Sequence, residues 1–127
     1  MKISQMRKPT TAYAKGVMGE DRACEYLQAK GMVLLHRRYR SLYGEIDLVM
    51  QAEDCIVFAE VKARGRGRSG DGLIAVTPAK QKRILQTAEA YLAEHGAACA
   101  VRFDVIEITP EGILHIPCAF DASDMTW

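Results

Sequence analysis

Glu45-Ile46-Asp47-Leu48-Val49-Met50 and, after the polar stretch Gln51–Asp54, Cys55-Ile56-Val57-Phe58-Ala59-Glu60-Val61-Lys62-Ala63 decide how the 127-residue chain is read. Both have the β-branched and aromatic content of strands, and a short polar link between such runs predicts an antiparallel hairpin. Alternation puts Ile46, Leu48 and Met50 on one face and Glu45, Asp47 and Val49 on the other; Glu60 and Lys62 share a face with Ile56 and Phe58. Strands disfavour Asp, Glu and Lys, so three of them close together on adjoining strands need a cause. Opposed residues of an antiparallel pair point to the same side. A turn of four residues therefore sets Asp47 directly opposite Glu60, and a turn of two sets them diagonally. One explanation is structural, an ion pair of Lys62 with Glu60 or Asp47. The other is chemical: Mg²⁺ is held by one or two carboxylates together with water and phosphate oxygens. Beside such an ion Lys62 could orient an attacking water or offset charge in the transition state.

Working outward, a helix is expected from about Tyr13 to Lys30, stopped by Gly31, followed by a strand over Met32 to Tyr39. At about 100° per residue, Tyr13, Gly16, Val17, Ala23, Cys24 and Leu27 form one stripe, with Glu20 in its middle. A carboxylate there must be paired, protonated or bound to a cation; an arginine at the core edge and a metal ion are equally good partners. The run Cys55–Ala59 suits a central strand covered on both faces. Thr77-Pro78 is an N-cap with proline at the first helical position, opening a helix to about His95, before Gly96. Ala100–Thr109 reads as a fourth strand and Ile113–Ile116 as a short fifth. The order α-β-β-β-α-β, plus a short C-terminal strand, predicts an α/β domain with a mixed sheet flanked by helices. It spans 13–117, between a basic arm at 1–12 and an acidic tail at 118–127.

The net charge of +1 hides segregation. Residues 1–40 hold nine Lys/Arg against three acids, 41–61 five acids and no Lys/Arg, 62–83 seven bases against one acid, and 84–127 one base against seven acids. Such blocks suit a basic surface for a polyanion beside an acidic pocket, although solvated helix faces would also account for any one of them. Arg38 and Arg40 close the first strand. Arg64, Arg66 and Arg68 alternate with glycine directly after the Glu-Val-Lys strand, a spacing able to follow a phosphate backbone or simply to stay solvated. Lys80, Lys82 and Arg83 sit in the first turns of the second helix, where the dipole disfavours cations unless an anion binds. Gln81, on the apolar side of that helix, either reaches the site or bonds to backbone. No run is long enough to cross a bilayer, and no secretory signal is readable. Cysteines 24, 55, 99 and 118 form no CxxC pair, which argues against zinc and for a reducing cytoplasm.

Taken in order, Gly19-Glu20, Gly44-Glu45-Ile46-Asp47-Leu48-Val49 and Phe58-Ala59-Glu60-Val61-Lys62-Ala63-Arg64 resemble the PD-(D/E)xK nuclease superfamily. More closely, the chain resembles the YraN-like family of bacterial proteins, through Gly19–Leu27, Lys80-Gln81 and Arg102-Phe103-Asp104-Val105-Ile106. The resemblance covers about residues 13–109. It implies a restriction-endonuclease-like core with Mg²⁺ or Mn²⁺ on Asp47 and Glu60, Lys62 catalytic, and Glu20 the first-helix acid able to complete the metal shell. The proline of the superfamily's name is replaced by Ile46. Archaeal Holliday-junction resolvases among the relatives imply DNA, including branched DNA, and suggest a homodimer. The expected function is a metal-dependent endonuclease that cleaves DNA. The alternatives are a non-catalytic nucleic-acid-binding module on the same fold, and a partner-docking protein with an exposed apolar patch among Ile113, Leu114, Ile116, Phe120 and Trp127.

Overall fold

The computed structural model describes residues 12–63, 76–96 and 100–121. Seven elements follow in the expected order: α1 (Ala12–Ala29), β1 (Val33–Arg40), β2 (Glu45–Gln51), β3 (Cys55–Ala63), α2 (Pro78–His95), β4 (Ala100–Thr109) and β5 (Gly112–Phe120). The strands form one sheet in sequence order. Every neighbouring pair is antiparallel except β3–β4, which is parallel because the chain crosses over through α2 between them.

Helix α1 ends as its glycine predicts. Gly31 takes φ 96°, the Met32 N–H bonds to the Leu27 carbonyl at 3.1 Å and the Gly31 N–H to that of Gln28 at 2.9 Å, which is the Schellman arrangement. Helix α2 begins at Thr77, whose hydroxyl accepts the Lys80 N–H, and ends at Gly96 with φ 66°. The helices cover opposite faces of the sheet. Ala23, Cys24 and Leu27 of α1 pack on Leu48, Met50, Val57, Ala59, Ile106 and Ile108. Ile84, Leu85, Ala88 and Tyr91 of α2 pack on Val49, Ile56, Phe58, Phe103 and Val105. Phe58 stacks on Phe103, and Phe103 on Phe120.

Two expectations are corrected. Ile46 does not share a face with Leu48 and Met50; it joins Val49 in the core under α2. Alternation breaks because the β2–β3 ladder stops at Leu48↔Ala59, while Arg38, between the pairs Arg37↔Leu48 and Tyr39↔Ile46, takes φ 54°. The fifth strand is longer than Ile113–Ile116 and continues through Pro117 to Phe120. Pro117 is tolerated because β5 is an edge strand. Cys118 at φ 53°, with a register shift between Phe103 and Val105, lets Phe120 turn back onto Phe103. As a result Phe120 is buried and Ile113, Leu114 and Ile116 are partly buried, while Trp127 lies outside the described residues.

Each left-handed non-glycine residue, strained by about 1–3 kcal/mol, is held by a carboxylate. Glu20 receives the Arg38 guanidinium at 2.9 Å, and Asp104 the Cys118 N–H at 3.1 Å. Among the described residues no helix is long and apolar enough to cross a membrane. Replacing the α2 cap, Thr77→Ala, is expected to lower stability by about 1 kcal/mol, read as a fall in the urea midpoint with an unchanged slope.

Candidate metal and phosphate site

The hairpin link decides where the acids lie. Its last ladder pair is Gln51↔Ile56, four residues stand between them, and the Ala52 N–H bonds to the Cys55 carbonyl at 2.8 Å. Counting back through Leu48↔Ala59, the next step is Asp47 with Glu60. There the Asp47 side chain takes over from the ladder: its Oδ2 accepts the Val61 N–H at 2.8 Å. Asp47, Glu60, Val61 and Lys62 line a cleft of about 370 Å³ together with Gly44, Glu45 and, from α2, Lys80, Arg83 and Ile84.

Two lysines converge on one carboxylate. Glu60 Oε2 lies 2.8 Å from Lys80 Nζ and 3.4 Å from Lys62 Nζ, with Glu60 almost wholly buried. Among the described residues the Asp47 carboxylate has the Val61 N–H as its hydrogen-bond partner, and its pKa is pushed up to about 7. Burial is the main cause and the charge of Glu60 the second; the Val61 N–H opposes them, Glu20 adds to them, and Lys62 opposes more weakly. Burial, then the neighbouring Lys80, lowers the Lys62 pKa against the pull of Glu60. Burial also acts to lower that of Lys80, but its bonds to Glu60 and Lys62 raise it overall.

Glu20 stands apart from the cleft lining. It is paired with Arg38 at 2.9 Å and Arg37 at 3.4 Å, the arginine solution to its place in an apolar stripe, and it reaches the site as a charge felt by Asp47. Arg40 pairs with Glu45 at 2.8 Å. Of the first-turn cations of α2, Lys80 and Arg83 line the cleft, and Lys82 does not. Gln81 bonds to the Val76 carbonyl at 3.0 Å, the backbone alternative. Arg64, Arg66 and Arg68 lie outside the described residues.

Two features were not read from the sequence. Lys80 was assigned to a nucleic-acid surface, yet it is the shorter of the two lysine contacts to Glu60. Glu107, an acid within the apolar run of β4, is fully buried with its Cα paired to that of Lys62. Its signal was the same as that of Asp47: a charge where a strand should be apolar.

The donor set fits a hard cation. Two carboxylates share a partly buried cleft, and burial, then the charge of Glu60, pushes Asp47 up to about 7. Among the described residues no three His, Cys, Asp or Glu side chains gather as a metal cage.

Because Asp47 is raised in the folded state, its proton is bound more tightly than in the unfolded chain, whose value is 3.8. The ionised form therefore costs stability as pH climbs from about 4 through about 7. Asp47→Asn, which removes that ionisation and keeps an oxygen for Val61, should raise the urea midpoint at pH 8. The gain should shrink towards pH 4.

A family model described as "Uncharacterised protein family UPF0102" matches residues 19–108. A UPF0102 protein of Nitrosococcus oceani is 46% identical over 106 residues, covering 82% of this chain and 86% of that protein. One from Rhodopseudomonas palustris strain BisB18 is 44% identical over 115 residues, covering 88% and 84%. Another, from Herminiimonas arsenicoxydans, is 42% identical over 123 residues, covering 96% and 90%. The matched span runs from Gly19 to Ile108 and so takes in Glu20, Asp47, Glu60, Lys62 and Lys80, and the chain belongs to the UPF0102 family.

Proposed function

We propose that the cleft hydrolyses phosphodiester bonds of DNA with a divalent cation, Mg²⁺ or Mn²⁺, held by Asp47 and Glu60. The observation that carries this reading is that Asp47, Glu60 and Lys62 line one cleft, with two further cations from α2 at its wall. The likeness of the Glu20, Asp47, Glu60, Lys62 order to the PD-(D/E)xK superfamily supports it, as does the α-β-β-β-α-β element order.

The chain's own groups divide the work. Asp47 is aimed by the Val61 N–H on Oδ2, so that its Oδ1 is the oxygen offered to the cation. Glu60 is fixed by its two lysines, both on Oε2, which leaves Oε1 as the oxygen that could face the cation. A bound divalent ion would polarise the scissile phosphate and lower the pKa of a nearby water. Lys62, with its pKa lowered, can hold that water at Nζ and, as the neutral amine, accept its proton as the water oxygen attacks phosphorus. The bond from phosphorus to the leaving oxygen then breaks, and that oxygen takes up a proton. Lys80 and Arg83 can engage non-bridging phosphate oxygens. Glu20 adds negative charge that favours a cation at Asp47.

A panel of labelled linear, flap and four-way-junction DNA with Mg²⁺ and Mn²⁺ tests this. Asp47→Ala and Lys62→Ala are each expected to cut cleavage by at least about 100-fold, with circular dichroism unchanged. Undiminished cleavage by both variants would overturn the assignment. Salt-sensitive binding with no product under either metal would favour the non-catalytic module instead, a reading for which the prior engagement of Glu60 by two lysines speaks.

A further inference from the structure

The hairpin between β1 and β2 presents apolar side chains to solvent next to this cleft, with Tyr43 lining a neighbouring depression beside Gln86, Glu89 and Ala90 of α2. Leu42 is 99% exposed and Tyr43 50%, while the next residue, Gly44, lines the cleft itself. An isolated exposed leucine is ordinary. This one is distinguished by how firmly its turn is fixed. The Ser41 N–H bonds to the Gly44 carbonyl at 2.9 Å, and the Tyr43 N–H to Ser41 Oγ at 3.0 Å. Ser41 Oγ meets the buried Thr87 Oγ1 at 3.0 Å, and Thr87 donates its proton to the Arg83 carbonyl at 2.8 Å. With that proton committed, Ser41 must be the donor to Thr87. A one-way chain of hydrogen bonds, Tyr43 to Ser41 to Thr87 to Arg83, therefore pins the tip to α2. It ends on the same residue that lines the cleft wall.

We propose that Leu42 and Tyr43 form a wedge that enters the base stack beside the scissile phosphate. The wedge would give the site a preference for DNA whose bases are unpaired or easily unstacked. This rests on the nuclease reading above and adds to it the feature of the substrate that is recognised. A nucleobase is the occupant the surroundings favour. Arg83 and Lys80 line the cleft on one side of the tip, Lys80 sharing its charge with Glu60, and Arg40, paired with Glu45 yet 78% exposed, lies on the strand leading into it. Phosphates held by such cations bring the neighbouring base over the tip. Leucine is among the side chains that pry base steps apart, and tyrosine offers a face for the displaced base.

The test measures binding of the full chain in EDTA, so that no cleavage intervenes. The probes are a continuous duplex and the same duplex with an unpaired bulge, each carrying 2-aminopurine next to the step in question. Anisotropy reads affinity and 2-aminopurine fluorescence reads unstacking. Wild type is expected to prefer the bulged DNA and to brighten the probe. Leu42→Ser and Tyr43→Ala should each lose at least about fivefold of that preference and most of the brightening, with duplex affinity and melting temperature unchanged. Retention of both signals in Leu42→Ser would overturn the wedge while leaving the nuclease reading intact. Equal loss on both DNAs would also overturn it, making the tip a general phosphate-binding feature. Failure of wild type to bind either DNA, in EDTA and again with Mg²⁺, would remove the nuclease reading and the wedge together. A dimer dispersed by Leu42→Ser with DNA binding unchanged would assign the tip to protein contact and overturn the proposal.

Discussion

The β2–β3 register is the constraint on which the site depends. Four residues separate Gln51 from Ile56, and the count from that pair carries Asp47 to Glu60. A one-residue slip would send Asp47 to the α1 face, because side chains alternate strictly with register. The ladder does not simply run on to the acids. It halts at Leu48↔Ala59, and the Asp47 carboxylate takes the Val61 N–H. A backbone donor that regular pairing would use is thus spent on aiming a side chain, and the strand bends where chemistry-bearing residues gather. Ile46 crosses to the other core as part of the same irregularity.

Two aspartates on this sheet show what neighbours do to a buried acid. Asp104 points to the α1 face, where Arg102 contacts it at 2.9 and 2.8 Å, His115 at 2.7 Å and the Cys118 N–H at 3.1 Å. Burial alone would raise its pKa, but these partners outweigh burial and hold it below the ordinary carboxylate range. Its ionised state is fully partnered, and those bonds tie β4 to β5. Asp47 receives one backbone bond and the repulsion of Glu60 and Glu20, and it moves the other way. An acid left short of positive charge beside a solvent-reaching cleft is the arrangement expected where a cation or a proton is to be exchanged.

The sequence disclosed most of the fold because the two periods are clear. Cys55–Ala63, Pro78–His95 and Ala100–Thr109 have the bounds that their apolar runs and caps predict. What escaped reading lay at left-handed residues. Nothing in Arg37-Arg38-Tyr39 announces φ 54°, because the cause is Glu20, seventeen or more residues away. Likewise Pro117 looks like a strand end until Asp104 is seen holding Cys118. For the site, misplaced charges marked Asp47, Glu60 and Lys62. The same rule applied to β4 would have marked Glu107. The partner of Glu60 on α2 was beyond any local pattern, since Lys80 meets it only through the crossover.

That crossover imposes an order of assembly. The β2–β3 hairpin closes over four residues, whereas Lys80 reaches Glu60 only once α2 has docked and β4 has found its parallel place beside β3. Local contacts form before distant ones. In the hairpin the two acids are therefore drawn together with Lys62 beside them, while Lys80 is still remote in the chain. The end of α2 that bears Lys80 and Arg83 then packs over a hairpin rich in carboxylates, so the segment that closes the cleft also brings the shorter of the two lysine contacts to Glu60.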